Sequence, residues 1–271
     1  MTDSWIFFVF VFLFGAAVGS FLNVCIYRLP RERSIVFPPS ACPECGSRIA
    51  PRDNIPILGY LLLGGRCRSC KVRISWQYPA VEALNGLLTL FLFMKFQLSP
   101  TFFVLFLFCS ALVVVTFIDL EHQIIPDSIS LSGIVVGFAV SVLFPLLGWR
   151  DSLIGIGWRD SLIGIVAGGG SLLVVAYGYQ LLTKKEGMGG GDIKLLAMMG
   201  AFLGWQSIPF IIFSSSLVGS VVGVTLIMTR KKDSQIPIPF GPFLAFGALL
   251  FVFFGRQLII WYLGLGGALR G

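Results

Sequence analysis

Charge is scarce in this 271-residue chain: only 12% of its residues are Asp, Glu, Lys or Arg, about half the ~25% usual in soluble domains. A single histidine, His122, is present, and it reads as an interfacial residue rather than a catalytic one. No Gly-x-Ser-x-Gly, His-Glu-x-x-His or Walker pattern occurs, so serine-hydrolase, metalloprotease and P-loop chemistry have no basis in the sequence. The first apolar run, 5–27, has no basic stretch before it and reaches spanning length. It is therefore expected to be a retained membrane helix and not a cleavable signal peptide. The net charge of +7 is no nucleic-acid footprint either, because nine of the 20 basic residues lie between Arg28 and Arg73. Such a local excess in an apolar chain speaks of membrane topology.

What is abundant is apolar side chain. Hydrophobic residues make up 56% of the chain and the mean hydropathy is +0.90, more apolar surface than a soluble fold can hide, so lipid is the expected solvent. Apolar segments run over about 5–27, 76–95, 101–118, 128–147, 161–182, 192–204, 207–229 and 241–263. Most have the ~17–25 residues a membrane helix needs. The sixth is short, which leaves seven spans as the alternative to eight. The expected fold is an all-α polytopic membrane protein of about eight transmembrane helices. Residues 1–27 form the first span, 28–75 a small soluble insert, and 76–271 the remaining membrane domain. The two cysteines inside apolar runs, Cys25 and Cys109, read as buried packing.

Orientation follows from lysine and arginine. With the N-terminus outside, fifteen of the 20 basic residues fall in inner loops, and Lys95, Arg150, Arg159, Arg256 and Arg270 stay outside. That bias places the insert and the loops near 183–192 and 230–240 in the cytoplasm. It also puts Asp119 and Asp192 at the same, cytoplasmic, membrane face.

The insert is too small for much of a core, but it holds Cys42-Pro-Glu-Cys45 and, after 21 intervening residues, Cys67-Arg-Ser-Cys70. Two Cys-x-x-Cys pairs at this spacing can close one tetrahedral thiolate site, each short gap turning both sulfurs toward one ion. In a reducing compartment zinc is the expected occupant rather than disulfides. Four thiolates leave no open coordination position, so the metal is structural. Redox chemistry by a single pair is the weaker reading.

Few acids lie near the membrane segments, and ionisable groups there are costly and usually functional. Asp119 ends an apolar run, followed by Glu121, His122 and, after Pro126, Asp127. Asp127 opens a helix and reads as its N-cap. The run Gly187-Met-Gly-Gly-Gly-Asp192 is more unusual: glycines let another backbone come close, and a peptide bond must be extended to be cut. Two carboxyl groups brought together cannot both ionise easily, so one can hold a proton against a carbonyl while the other draws one from water. That is aspartyl-protease chemistry, and it requires neither metal nor serine. One further feature stands apart: GWRDSLIGI at 148–156 recurs without change at 157–165, a tandem duplication in an outer loop and the start of the fifth helix, where added length costs little.

Taken in order, Gly19-Ser-Phe-Leu-Asn23-Val-Cys-Ile-Tyr-Arg28-Leu-Pro30, the four cysteines, Asn54-Ile-Pro56, Ile74-Ser-Trp-Gln-Tyr78-Pro-Ala-Val-Glu82, the Asp119 segment and Gly189-Gly-Gly-Asp192 resemble the type IV prepilin peptidases, the bifunctional leader peptidase/N-methyltransferases, over nearly the whole chain. The resemblance implies a bacterial inner-membrane enzyme. It would cut the basic leader from prepilins and pseudopilins after a glycine, with Asp119 and Asp192 as the catalytic pair. It would then methylate the new N-terminal residue from S-adenosylmethionine, the cysteine insert being linked to that second activity. The residues that bind S-adenosylmethionine are not identified: no Rossmann-type glycine fingerprint is present. Asn23, Arg28, Asn54, Tyr78 and Glu82 in the matched segments read equally well as caps and loop hydrogen bonds. The tandem repeat departs from the family pattern and leaves the motifs intact.

Two other readings compete: a peptidase without methyl transfer, and a proton-coupled transporter whose acids carry protons. Internal topological symmetry, common in transporters, is missing. Partners are prepilin substrates and membrane lipid, with no role for nucleic acid. The orientation has a direct check. A cysteine introduced at position 152 is expected to react with an impermeant thiol reagent from outside the cell, and one at position 48 to be shielded; the reverse pattern would overturn the assigned topology.

Overall fold

The computed structural model describes residues 4–146, 157–184, 189–230 and 239–268. Among them there is no β-strand, only two isolated bridges, Ala41 with Arg48 and Arg66 with Arg73. The helices are α1 (Ser4–Arg28), α2 (Leu58–Leu62), α3 (Gln77–Phe96), α4 (Pro100–His122), α5 (Asp127–Leu146), α6 (Trp158–Thr183), α7 (Gly190–Leu203), α8 (Ser207–Arg230) and α9 (Gly241–Ala268). Each of the eight apolar segments expected from the sequence is thus a helix. The chain divides into two compact units, Met1–Ile118 and Asp119–Gly271, the boundary falling inside α4.

In the first unit α1 lies against α3 because glycine lets the backbones meet. A Cβ on Gly19 would stand 2.7 Å from Cα of Glu82, and one on Gly86 2.8 Å from the Phe12 ring. Buried polar groups are paired. The amide of Asn85 donates to the Gly15 carbonyl at 2.8 Å and accepts the Ser110 hydroxyl at 3.0 Å; Asn23 donates to the Tyr78 carbonyl at 3.0 Å. Between membrane helices such bonds replace water that the bilayer does not supply.

The second unit is built around α7. Its residues from Leu195 to Leu203 are all buried, as a helix apolar on every side must be in a packed bundle. The α6 contact is backbone on backbone: Gly164 meets Gly200, and a Cβ on Gly168 would lie 2.5 Å from the Leu196 carbonyl oxygen. Ser161 donates to the Ala201 carbonyl at 2.8 Å. On the α5 side, a Cβ on Gly137 would stand 2.9 Å from that of Ala201. Small residues allowing close approach are the usual basis of helix packing in lipid.

Five helices are long and apolar enough to cross a membrane by length and composition: α1, α3, α4, α6 and α8. Shorter apolar stretches, Asp127–Leu143 and Gly241–Gly255, lie in α5 and α9. With 14 residues, α7 is only about 21 Å long at ~1.5 Å per residue, short of the ~30 Å hydrocarbon core. Large exposed side chains such as Phe10, Val135, Val174 and Phe213 give the membrane helices the outward apolar faces that lipid requires.

The first copy of the repeat, 148–156, lies outside the described residues. In the second, Gly157 is the N-cap of α6, and Ser161 and Gly164 make the α7 contacts above. Because the copies are identical, deleting 157–165 puts Ser152 and Gly155 into those same places in sequence. The shortened protein is expected to accumulate in the membrane and melt like the parent, whereas Gly200→Val, which forces a side chain into the Gly164 backbone, is expected to lose most of the folded protein. Poor accumulation of the deletion variant would show that the two copies are not interchangeable.

Candidate active site and metal centre

The four insert cysteines converge. The sulfurs of Cys42, Cys45, Cys67 and Cys70 all lie within 4.8 Å of one another, and those of Cys42 and Cys70 are 3.8 Å apart, close to the ~3.8 Å edge of a tetrahedron with ~2.3 Å zinc–sulfur bonds. Each pair sits in a turn of the same construction. The Cys42 N–H donates to the Ser47 carbonyl and the Gly46 N–H to that of Cys42; likewise the Cys67 N–H donates to Val72 and the Lys71 N–H to Cys67. The residue after each second cysteine, Gly46 or Lys71, is left-handed, with φ of 67° and 60°. Backbone N–H groups of Cys70 and Ser69 hold the Cys67 thiol down at about 6. The Val72 N–H draws Cys70 down as well, but desolvation and the neighbouring thiols of Cys45, Cys67 and Cys42 outweigh it and push Cys70 up to about 12. Four sulfurs so close cannot all ionise unaided, and a divalent cation removes that conflict. The donor set and its spacing fit zinc.

The insert is tied down by three further sets of contacts. Arg68, inside the second pair, donates from Nε and Nη2 to both oxygens of Asp53, at 2.7 and 2.5 Å, and holds that carboxyl below its usual range. The buried Glu82 of α3 accepts the Ile57 N–H at 2.7 Å, where the chain makes a tight turn with φ of 62°. Arg28 donates to the carbonyls of Ser34 and Pro38, at 2.9 and 2.7 Å. Asn23, Arg28 and Glu82 therefore hold backbone in place, Tyr78 offering the carbonyl that Asn23 bonds, while Asn54 caps a short 3-10 turn, Pro51–Asp53, through its backbone.

The acids are assembled in the second unit. Asp119 stands in the last turn of α4; Gln123 then turns left-handed, with φ of 55°, and Pro126 precedes α5, so the helix stops just past the acid. Asp119 is 5% exposed, and its Oδ2 accepts the Gly241 N–H at the start of α9, at 2.9 Å. Asp192 is in the first turn of α7, within electrostatic reach of Asp119. Ile125 joins the two sides: a Cβ on Gly191 would stand 2.9 Å from its Cβ, and one on Gly241 3.4 Å from its Cδ1. The residues next to Asp192 and bonded to Asp119 thus pack against one side chain.

The glycines before Asp192 divide in role. The sequence suggested open space along the whole run, yet Gly191 is filled by Ile125. Among the described residues, a side chain at Gly190 would meet nothing within 4 Å, and one at Gly189 only the edge of Gly191. The open positions of the run are therefore 189 and 190. Asp127 also differs from its expected role as a helix cap: its carboxylate takes the Lys194 ammonium at 2.7 and 2.8 Å, a cation one turn into α7 that competes well against a backbone N–H. No described contact joins Glu121 or His122 to the acid pair; His122 Nε2 lies 4.0 Å from Glu121. Gly241 and Ile125 were not singled out from the sequence. The one signal was the Gly-Pro pair at 241–242 opening an apolar run.

Two family models match the chain: the bacterial peptidase A24 N-terminal domain over residues 13–96 and the type IV leader peptidase family over 106–224. Among curated proteins, one from Aeromonas salmonicida named prepilin leader peptidase/N-methyltransferase is 38% identical, covering 96% of this chain and 94% of its own. A protein of the same name from Pseudomonas aeruginosa is 38% identical over 94% of this chain and 93% of its own, and one from Legionella pneumophila 32% over 96% of each. No solved structure matches. For the metal centre the expected result is one zinc per chain by elemental analysis of the purified protein, with Ser at any of the four cysteine positions lowering it and exposing 28–75 to protease. Metal-free protein with intact, reduced thiols would refute the site.

Proposed function

The chain belongs to the type IV leader peptidase family, and on that premise we propose that it removes the leader of prepilins and pseudopilins by a two-aspartate mechanism at the cytoplasmic membrane face, and then methylates the new N-terminal residue. The observation that carries the peptidase reading is the convergence of Asp119, Gly241, Ile125, Gly191 and Asp192 from four elements around one pair of acids. One carboxylate takes a proton from water as the water attacks the scissile carbonyl. The other holds a proton against that carbonyl oxygen and later gives one to the leaving amine. A substrate strand lies along Gly189 and Gly190, where no side chain intervenes. Enclosure of the acids among apolar helices strengthens their interaction with developing charge.

Methyl transfer is supported by the relatives' shared name. S-adenosylmethionine would supply the methyl group when bound. Asn23 and Glu82, buried polar side chains beside the insert, are already bonded to the Tyr78 carbonyl and the Ile57 N–H. The zinc insert serves as a rigid platform, its four thiolates leaving the ion no vacant position.

Asp119→Asn and Asp192→Asn are each expected to abolish cleavage of a co-expressed prepilin while the protein still inserts and keeps its zinc, since an amide can neither accept the water's proton nor return one. The double variant should lose no more than either single one, because the pair acts as a unit. Asp127→Asn, which breaks an exposed ion pair worth about 0–1 kcal/mol, should cleave at a mildly reduced rate. Near wild-type cleavage by either active-site variant would disprove the two-aspartate mechanism. Mass spectrometry of the processed pilin, one methyl heavier or not, decides the second activity.

A further inference from the structure

Glycine at position 241 is not explained by backbone conformation. Gly46, Gly64, Gly65 and Gly204 have positive φ, and Gly241 does not. What demands glycine there is a carboxyl group. A Cβ at 241 would stand 2.7 Å from Oδ2 of Asp119, 3.2 Å from its Cγ and 3.4 Å from Cδ1 of Ile125. Gly164, Gly168 and Gly200 are filled by neighbouring backbone; at Gly241 the nearest atom is an oxygen of one of the proposed catalytic acids. That same oxygen accepts the Gly241 N–H at 2.9 Å in a buried bond.

The donor is held rigidly. The Phe240 carbonyl accepts the N–H groups of Phe243 and Leu244, both at 3.1 Å, closing the first turn of α9. The Ser215 hydroxyl of α8 shares its one proton between the Ile211 carbonyl of its own helix, at 2.5 Å, and the Phe243 carbonyl, at 3.0 Å, which links that turn to its neighbour. Among the described residues no hydrogen bond engages Oδ1 of Asp119.

Resting on the two-aspartate reading above, we propose that Gly241 is a positioning residue of the peptidase: its N–H fixes Oδ2 of Asp119, its missing side chain leaves the carboxyl its place, and Oδ1 is thereby the oxygen that exchanges a proton with the attacking water. The bond is charge-assisted when Asp119 is ionised, so the carboxylate is oriented before substrate arrives.

The test is steady-state cleavage of a basic-leader prepilin by the purified full-length protein. Gly241→Ala keeps the N–H but pushes the carboxyl aside, and a displacement near 1 Å costs on the order of 10²-fold in rate. The expected result is a fall in kcat of that order with KM within about twofold, in protein that melts like the parent. Wild-type kcat overturns the proposal. So does a rise in KM as large as the fall in kcat, which would make position 241 a substrate contact. If Gly241→Ala fails to accumulate, Ser215→Ala decides, since it loosens the donor's anchor without adding an atom: a several-fold lower kcat at unchanged KM supports the proposal and parental kcat overturns it. Asp119→Asn and Asp192→Asn run in the same assay keep the two claims apart. If both are inactive while Gly241→Ala is fully active, only the role of Gly241 fails; if either cleaves normally, the acid pair itself is wrong.

Discussion

The backbone contact between Gly164 and Gly200 is the constraint from which the membrane unit follows. In lipid there is no hydrophobic gain in bringing two apolar helices together, so association rests on packing and on the few polar bonds available. Where α6 and α7 meet at Gly164, Gly168 and Gly200, the helices come as close as their main chains permit, and the Ser161 hydroxyl adds a bond across the same face. A helix of 14 residues cannot meet both bilayer surfaces. It can exist there only if its neighbours enclose it, and enclosure at this spacing tolerates no side chain larger than hydrogen at the crossing. Once α7 is fixed, so is its first turn, and with it Asp192 and the tight fit of Gly191 on Ile125.

The two parts of the chain achieve rigidity by different physics. Around the acids it comes from missing side chains: hydrogen at 191 and 241 lets Ile125 and a carboxyl sit where a methyl group would have displaced them. In the insert, which has too little apolar material for a core, it comes from polar and ionic closure. The thiolate cluster, the Arg68–Asp53 fork and the Glu82 bond to Ile57 do the work of a hydrophobic centre. Surface ion pairs contribute little alone, so a metal ion held by the four thiols would be the strongest of these ties.

Much of this was legible in the sequence because its signals are local. Long apolar runs marked the helices to within a few residues, paired cysteines marked the four thiols that cluster in space, and an acid closing a glycine run drew attention to Asp192. What was not legible depends on distance and on surroundings. Asp119 and Gly241 are 122 positions apart, and no periodicity links them. The composition of α7 is apolar on all sides, which looks the same whether lipid or protein covers it; only its length hinted that it was enclosed. Gly189, Gly190 and Gly191 are indistinguishable as letters, and their division into two open positions and one filled one is made by Ile125 from another element. Asp127 kept its place at a helix start, but its choice of Lys194 over a backbone N–H is a matter of three-dimensional proximity.

The matching turns of the cysteine insert bear on how such a module can change through evolution. Each turn is closed by its own bridge, Ala41 with Arg48 and Arg66 with Arg73, and by backbone bonds that set the direction of its two sulfurs. A single insertion there would misdirect a ligand and cost the whole site. Between the turns the geometry is lenient, because doubling a loop's length costs only about 0.6 kcal/mol of closure entropy, provided Asp53 and Ile57 can still reach their partners. Lineages of this protein are therefore free to vary in length between the two cysteine pairs and are held to strict length within them, so alignment gaps should pool in the first region and avoid the second.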